Sequence, residues 1–185
     1  MNLNLSVVKA EELTNDVYFL RLKSESIAGK ASPGQFVNIK CHDSLDAFLR
    51  RPISILRANP EENTFDIAFM IRGKGTRILS CLKEGDALNC IGPLGKGFTV
   101  PERGERVCVI GGGIGIFPLL FLLERSTGTY RTAFLGFRTK NLIVLGKDFE
   151  KSSEKLVIST DDGSFGEKGP ITLPFLKYLE TEKPD

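Results

Sequence analysis

The stretch "RVCVIGGGIGIFPLL", residues 106–120, decides how the chain is read. Residues 106–110 form a near-continuous apolar run, as in a strand of a parallel sheet covered on both faces. Glycines follow at 111, 112, 113 and 115, and an apolar helical run extends over about 116–125. The glycines free the backbone for a tight turn after the strand. The turn's amides and the helix N-terminus then favour a diphosphate. Pro118 stands where a G-x-G-x-x-G turn would place its third glycine. Proline fits a first helical turn, where its missing N–H is not needed. A strand before, a helix after and the clustered glycines favour a ligand turn over a bare one. Its residues are Gly112, Gly113, Gly115 and Pro118.

Downstream, "YRTAFLGF" (130–137) and "KLVIST" (155–160) read as further strands, with a third candidate at "LIVLG" (142–146) and a helix near 171–180. This β-α-β alternation is the signature of an open parallel sheet. "STDDGSFG" (159–166) leaves the C-terminal end of such a strand, the edge where open α/β sheets bind ligands. Asp162 is the candidate there, and Asp162-Gly163 equally fits a plain turn. Arg138 ends its strand where an arginine would suit a 2′-phosphate, by a rule drawn for a different glycine turn. The alternation stops on a helix with no returning strand, so this unit reads as cut short.

Upstream the pattern is different. Candidate strands cover 4–9, 17–23, 35–41, 52–58, 64–72 and 87–92, separated by turn signals such as "SPG" and "NPEEN". Short strands at this spacing indicate an antiparallel barrel or sandwich. One short helix is expected over 76–82. The charged "TVPERGER" (99–106) marks a boundary, giving units of 1–100 and 101–185.

Three stretches of the first unit stand out. In "FLRRPISI" (48–55), Arg50 and Arg51 precede a proline that belongs at a strand start or sheet edge. An arginine fork there can bind phosphate bidentately. Ser54 lies roughly 10 Å further along an extended strand, a span that suits a ligand with a diphosphate and a polar ring. The plainer reading is a pair of solvated arginines. In "RGKGTRILS" (72–80), Gly73 and Gly75 free the backbone and Thr76 can cap the following helix. "GPLGKGF" (92–98) is dense enough in glycine to admit a flat or charged ligand closely.

Composition narrows the classes. The 185 residues are 41% hydrophobic and 26% charged with net charge +2, ordinary for a soluble globular protein. The mixed charges give no basic stripe, so no nucleic-acid partner is expected. No signal peptide is read at the N-terminus, and no run approaches the roughly 18 apolar residues of a membrane span. The expected location is cytoplasmic, without membrane attachment. Cys41, Cys81, Cys90 and Cys108 form no C-x-x-C pair, so neither a disulfide framework nor a metal site is expected. The single histidine, His42, is read as a loop residue.

Taken in order, Arg51-Pro52-Ile53-Ser54, Gly73-Lys74-Gly75-Thr76, Gly92-Pro93-Leu94-Gly95 and Gly113-Ile-Gly115-Ile-Phe-Pro118 resemble the ferredoxin–NADP reductase superfamily. The wording "LRRPISI", "GGGIGIFPL", "LGFR" and "TDDGSFGEKG" is most similar to the electron-transfer subunits of B-type dihydroorotate dehydrogenases. The resemblance implies a six-stranded antiparallel Greek-key β barrel binding FAD and a C-terminal α/β parallel-sheet domain binding NAD(H). Arg51 would hold the diphosphate with Gly75 and Thr76, and Ser54 would lie near the reactive flavin nitrogen. Phe69 and Met70 would contact the flavin region. Gly113, Gly115 and the strand ends would serve the nicotinamide cofactor. The implied partner is an FMN-bearing catalytic subunit that oxidises dihydroorotate. In that family a 2Fe–2S cluster is held by a later cysteine-rich segment, and its ligands are absent from this chain. Related alternatives are a subunit of an NAD(P)H-dependent flavin or ferredoxin oxidoreductase, and a nucleotide-binding assembly module without turnover.

Overall fold

The computed structural model describes residues 2–41 and 48–184. His42, expected in a loop, lies outside the described residues. The chain divides into two units, Met1–Phe98 and Thr99–Asp185.

The first unit holds β1 (Asn2–Thr14), β2 (Val17–Lys23), β3 (Phe36–Lys40), β4 (Arg51–Asn59), β5 (Thr64–Met70) and β6 (Ala87–Leu94). They close into a barrel of order β1-β2-β5-β4-β3-β6. The pairings are antiparallel. β6 returns to lie beside β3 after the β3-β4-β5 run, which is a Greek key. Turn chemistry sets the hairpins. Asp16, at φ 63°, closes β1 onto β2, and Asn63, at φ 56°, closes β4 onto β5. In the second turn, Asn59 Oδ1 also accepts from the amides of Glu61 (3.1 Å) and Glu62 (3.3 Å). Alternation along the strands then sends Leu22, Val37, Ile39, Ile55 and Ile67 into the core, each fully buried. A fork joins β2 to β5: Arg21 Nε donates to Asp66 Oδ1 at 2.8 Å and Nη2 to Oδ2 at 3.0 Å.

Two short helices interrupt the barrel. α1 (Glu25–Ala28) has no periodic signal in the sequence. It is capped by Ser24, whose hydroxyl accepts from the amide of Ile27, and it buries Ile27 and Ala28. α2 spans Lys74–Leu79, not 76–82. It starts two residues early because Gly73 takes the cap position and Thr76 falls inside the first turn.

The second unit is a parallel sheet of order β10-β9-β8-β7, with β7 (Arg106–Gly112), β8 (Tyr130–Phe137), β9 (Lys155–Thr160) and β10 (Glu167–Lys168). Its helices are α3 (Phe117–Arg125), α4 (Gly146–Ser152) and α5 (Thr172–Thr181). α5 packs on one sheet face through Ile171 and Tyr178 against Phe134. Ala133 and Leu135, turned to the other face by alternation, are also fully buried. α3 and α4 pack against each other, α3 on β7 and α4 on β9. They bury Leu120, Phe121, Leu123 and Phe149.

Residues 142–146, read as a strand from their apolar run, are not one. They lead from a single 3-10 turn (Lys140–Leu142) into α4, with Leu145 left-handed at φ 56°. The place beside β8 belongs to β9. Val144 and Phe149 are buried, so the apolar character anchors a crossover connection instead of a strand. The two-residue β10 was too short to read.

Candidate functional site

Two groups of predicted residues assemble, one in each unit. In the barrel, Arg51 begins β4 opposite Ile39, and Ser54 lies opposite Phe36. The two neighbouring arginines have different surroundings. Arg50 is tied into the barrel wall, donating to the carbonyl of Asn38 (3.1 Å) and to Asn89 Oδ1 (2.6 Å). Arg51 donates through Nη1 to the carbonyls of Leu49 (2.6 Å) and Arg50 (3.4 Å). Among the described residues no carboxylate pairs with it.

The rest of the Arg51 fork rests on the start of α2. A methyl group at Gly75 would stand 2.8 Å from Arg51 Nε and 3.1 Å from both Cζ and Nη2. Two stretches far apart in sequence are therefore joined by one side chain against one bare backbone. Thr76, buried, organises the loop behind it. Its hydroxyl accepts from the amides of Arg72 (2.9 Å) and Gly73 (3.2 Å) and donates to the carbonyl of Gly73 (3.1 Å). Thr76 thus reaches back from within the first turn and is not the N-cap expected of it. Gly73 is the cap, in extended conformation.

Pro52 is exposed, and Ile53, Ser54 and Met70 are half-buried. Phe69 is buried and stacked on Tyr18, with ring centroids 6.2 Å apart. The "GPLGKGF" loop packs on the preceding "SPG" turn. The amide of Phe98 donates to the carbonyl of Pro33 (2.7 Å), and Gln35 Nε2 donates to the carbonyl of Gly95 (2.9 Å). Phe36 and Leu94, paired across β3 and β6 beside Ser54, frame this region. Leu94 falls within the Gly92-Pro93-Leu94-Gly95 run of the sequence, whereas Phe36, a half-buried apolar residue in a strand, carries no distinguishing signal there.

In the second unit, β7 ends at Gly112, and a 3-10 turn (Gly113–Ile116) leads into α3. Pro118 lies in the first turn of α3, as its missing N–H allows. The glycines have separate reasons. A methyl at Gly111 would lie 2.7 Å from Leu119 Cδ1 and 3.2 Å from Ile116 Cγ2, so strand-to-helix packing crowds that position. Gly113 has φ 53°. Gly115 has neither demand: apart from its chain neighbours, nothing among the described residues lies within 4 Å of the added methyl. Gly112 meets only the carbonyl of Gly136, at 3.6 Å. The bare backbone at 112 and 115 is exposed and open to a ligand that must approach closely.

Asp162 is exposed beyond the C-terminal end of β9. Its Oδ1 accepts from the hydroxyl (2.6 Å) and amide (2.9 Å) of Ser164, which hold its carboxyl below the usual aspartate range. Ser164 Oγ accepts in turn from the amide of Lys140. Asp162 is therefore a turn-former at a strand end. Gly166, φ 63°, packs so closely on Ile158 that a methyl would lie 2.1 Å from its carbonyl oxygen. Arg138 is exposed at the end of β8.

Comparison with known proteins adds the decisive observation. Residues 4–98, half of the chain, match the family described as the oxidoreductase FAD-binding domain. The chain belongs to that family. Relatives of the oxidoreductase FAD-binding domain family share the second unit too. The chain is 39% identical over 170 residues to the electron transfer subunit of dihydroorotate dehydrogenase B (NAD(+)) from Desulforamulus reducens, covering 91% of this chain and 65% of that protein. It is 39% identical over 173 residues to the same-named subunit from Streptococcus mutans, covering 91% and 66%. The chain thus spans just under two thirds of these relatives. A solved structure of NADH-dependent reduced ferredoxin–NADP oxidoreductase superposes with a TM-score of 0.86 at 34% identity, over 96% of this chain and 64% of that one.

No helix among the described residues is long and apolar enough to cross a membrane. Nor does any group of three or more His, Cys, Asp or Glu among them form a metal cluster. The cysteines are dispersed, with Cys90 in β6 and Cys108 in β7.

Proposed function

We propose that this chain is a flavoprotein electron-transfer module that passes electrons between FAD and NAD(H). The observation that carries the reading is the Arg51–Gly75 juxtaposition within a barrel of the FAD-binding family. An arginine fork with no carboxylate partner among the described residues, against a bare peptide at a helix start, fits a diphosphate. Arg51 holds that diphosphate. Pro52, Ile53, Ser54, Phe69 and Met70 border the flavin ring, with the Ser54 hydroxyl available as a hydrogen-bond donor. In the second unit, Gly112, Gly113 and Gly115 admit a nicotinamide dinucleotide, Pro118 fixes the helix start, and Asp162 holds the loop beyond β9 in shape. Bound FAD supplies the redox chemistry, exchanging a hydride equivalent with NAD(H) and passing electrons onward. This chain binds, orients and excludes water.

The physiological reaction we infer is oxidation of dihydroorotate to orotate, as part of pyrimidine biosynthesis, with an FMN-bearing catalytic subunit as partner. It rests on the names of the most similar curated relatives. A ferredoxin-linked reductase is the second reading, favoured by the 34% identity to the ferredoxin–NADP oxidoreductase structure. Anaerobic mixing of the FAD-loaded chain with NADH, followed by flavin absorbance, tests the common claim. Bleaching is expected. FAD that binds yet stays oxidised with both NADH and NADPH rejects redox turnover and leaves a nucleotide-binding assembly module.

A further inference from the structure

We propose that Arg50 is a positioning residue that aims Arg51, and that it does so through a polar belt across the barrel wall. The inference rests on the FAD reading above. Adjacent residues of an extended chain point to opposite sides. Arg51 turns to the start of α2, and Arg50 turns the other way, along the wall. Its guanidinium spans two strands there. Nη1 donates to the carbonyl of Asn38 in β3 (3.1 Å), and Nη2 donates to Oδ1 of Asn89 in β6 (2.6 Å). Asn89 Nδ2 donates in turn to Oδ1 of Asn4 in β1 (2.7 Å), its direct cross-strand neighbour. The belt thus runs from the residue before β4 across β3 and β6 to β1, in the order these strands take in the closed barrel.

The belt anchors the backbone at residue 50, and that backbone seats the Arg51 fork. Arg51 Nη1 donates to the carbonyls of Leu49 (2.6 Å) and Arg50 (3.4 Å). A guanidinium is planar and rigid, so holding one nitrogen orients the others. With Nη1 on those carbonyls, Nε and Nη2 face Gly75. Asn89, two strands away, is therefore linked to the aim of Arg51 through the Arg50 side chain. The two adjacent arginines have different tasks: one holds the ligand, the other holds the first in place.

The test is Asn89→Ala, which removes an acceptor of Arg50 and keeps both arginines and their charge. FAD affinity should fall about five- to tenfold, within the usual range of coupling inside one hydrogen-bond network. In an Arg51→Ala background the same change should do almost nothing, and likewise in an Arg50→Met background. Asn89→Asp returns an acceptor to Arg50 and should recover most of the affinity. Equal losses in all backgrounds overturn the proposal. So does Asn89→Ala at wild-type affinity, whatever Arg50→Met does, because Arg50 would then act without the belt. Should Arg50→Met fail to fold by circular dichroism, the Asn89 variants and Arg51→Ala still decide. The Arg51 Nε–H signal in the NMR spectrum of the FAD-free chain gives a readout without ligand. It should shift in Asn89→Ala and return in Asn89→Asp; an unmoved signal overturns the proposal. Should the wild-type chain bind no FAD, the functional reading fails, and this signal alone decides whether the belt aims Arg51.

Discussion

Arg51 and Gly75, 24 positions apart in the sequence, are in contact: a methyl at 75 would fall 2.8 Å from the Arg51 Nε. The contact joins the start of β4 to the start of α2, and it leaves one face of a cationic fork without a carboxylate among the described residues. If that fork holds a diphosphate, its removal has a defined cost. Arg51→Ala should weaken FAD binding by about 1.5–3 kcal/mol, the range for a hydrogen bond to a charged group. Arg51→Lys should recover only part of this, because an ammonium cannot reproduce the fork. Equilibrium titration with FAD measures both. Wild-type affinity in Arg51→Ala would remove Arg51 from the site.

The glycines of the opening stretch separate structural from ligand-related demand. Gly111→Ala should destabilise the second unit by about 1–3 kcal/mol, as overpacking does, because Leu119 and Ile116 already fill the space. Gly115→Ala meets open space and should leave unfolding unchanged. It should instead raise the NADH concentration needed for flavin reduction. Denaturant unfolding and reduction kinetics, run on both variants, check this. The idea fails if the two variants behave alike.

The Arg21–Asp66 fork makes a different prediction, about the barrel alone. The Asp66 side chain is 3% exposed and that of Arg21 33%. Breaking a fully buried pair costs about 3–5 kcal/mol, and the partial exposure of Arg21 reduces this to about 1–3 kcal/mol. Asp66→Asn should show that loss in urea. A change within about 0.5 kcal/mol, as for an ordinary surface substitution, would show that the pair adds little.

Thiol chemistry gives a pH-dependent prediction. Burial pushes Cys90 and Cys108 from the ordinary 9.0 up to about 11. Their folded-state values are raised, so the contribution to stability is whole below pH 9.0 and is lost as pH climbs towards 11. Cys81 is exposed. Alkylation in mildly alkaline buffer, read by mass spectrometry, should label Cys81 first and leave Cys90 and Cys108 unmodified. Labelling of buried Cys90 or half-buried Cys108 ahead of exposed Cys81 would contradict this order.

Much of the fold was legible because its signals are local. Turn signals such as "NPEEN", with Asn59 at its start, and alternation in β3 set a hairpin and an inward face. The continuous apolar run of β7 identified a parallel strand. The failures were also local ambiguities. "LIVLG" has strand composition, yet only tertiary pairing decides that β9 occupies the place next to β8. The sequence points to a later start for α2 because Thr76 looks like a cap, whereas its hydroxyl works backwards from the first turn. At the site, the sequence listed Arg51, Gly75 and Thr76 in two separate motifs; their meeting depends on barrel closure. It could not assign Arg50 to the barrel wall, since two adjacent arginines look alike until Asn38 and Asn89 are seen beside one of them.

The central claim is that this barrel holds FAD through Arg51. Its most direct measurement is spectrophotometric titration of the purified chain with FAD, alongside Arg51→Ala. The account predicts saturation at one FAD per chain in the wild type, and clearly weaker binding in the variant. A wild-type chain that is folded by circular dichroism and takes up no FAD would contradict it.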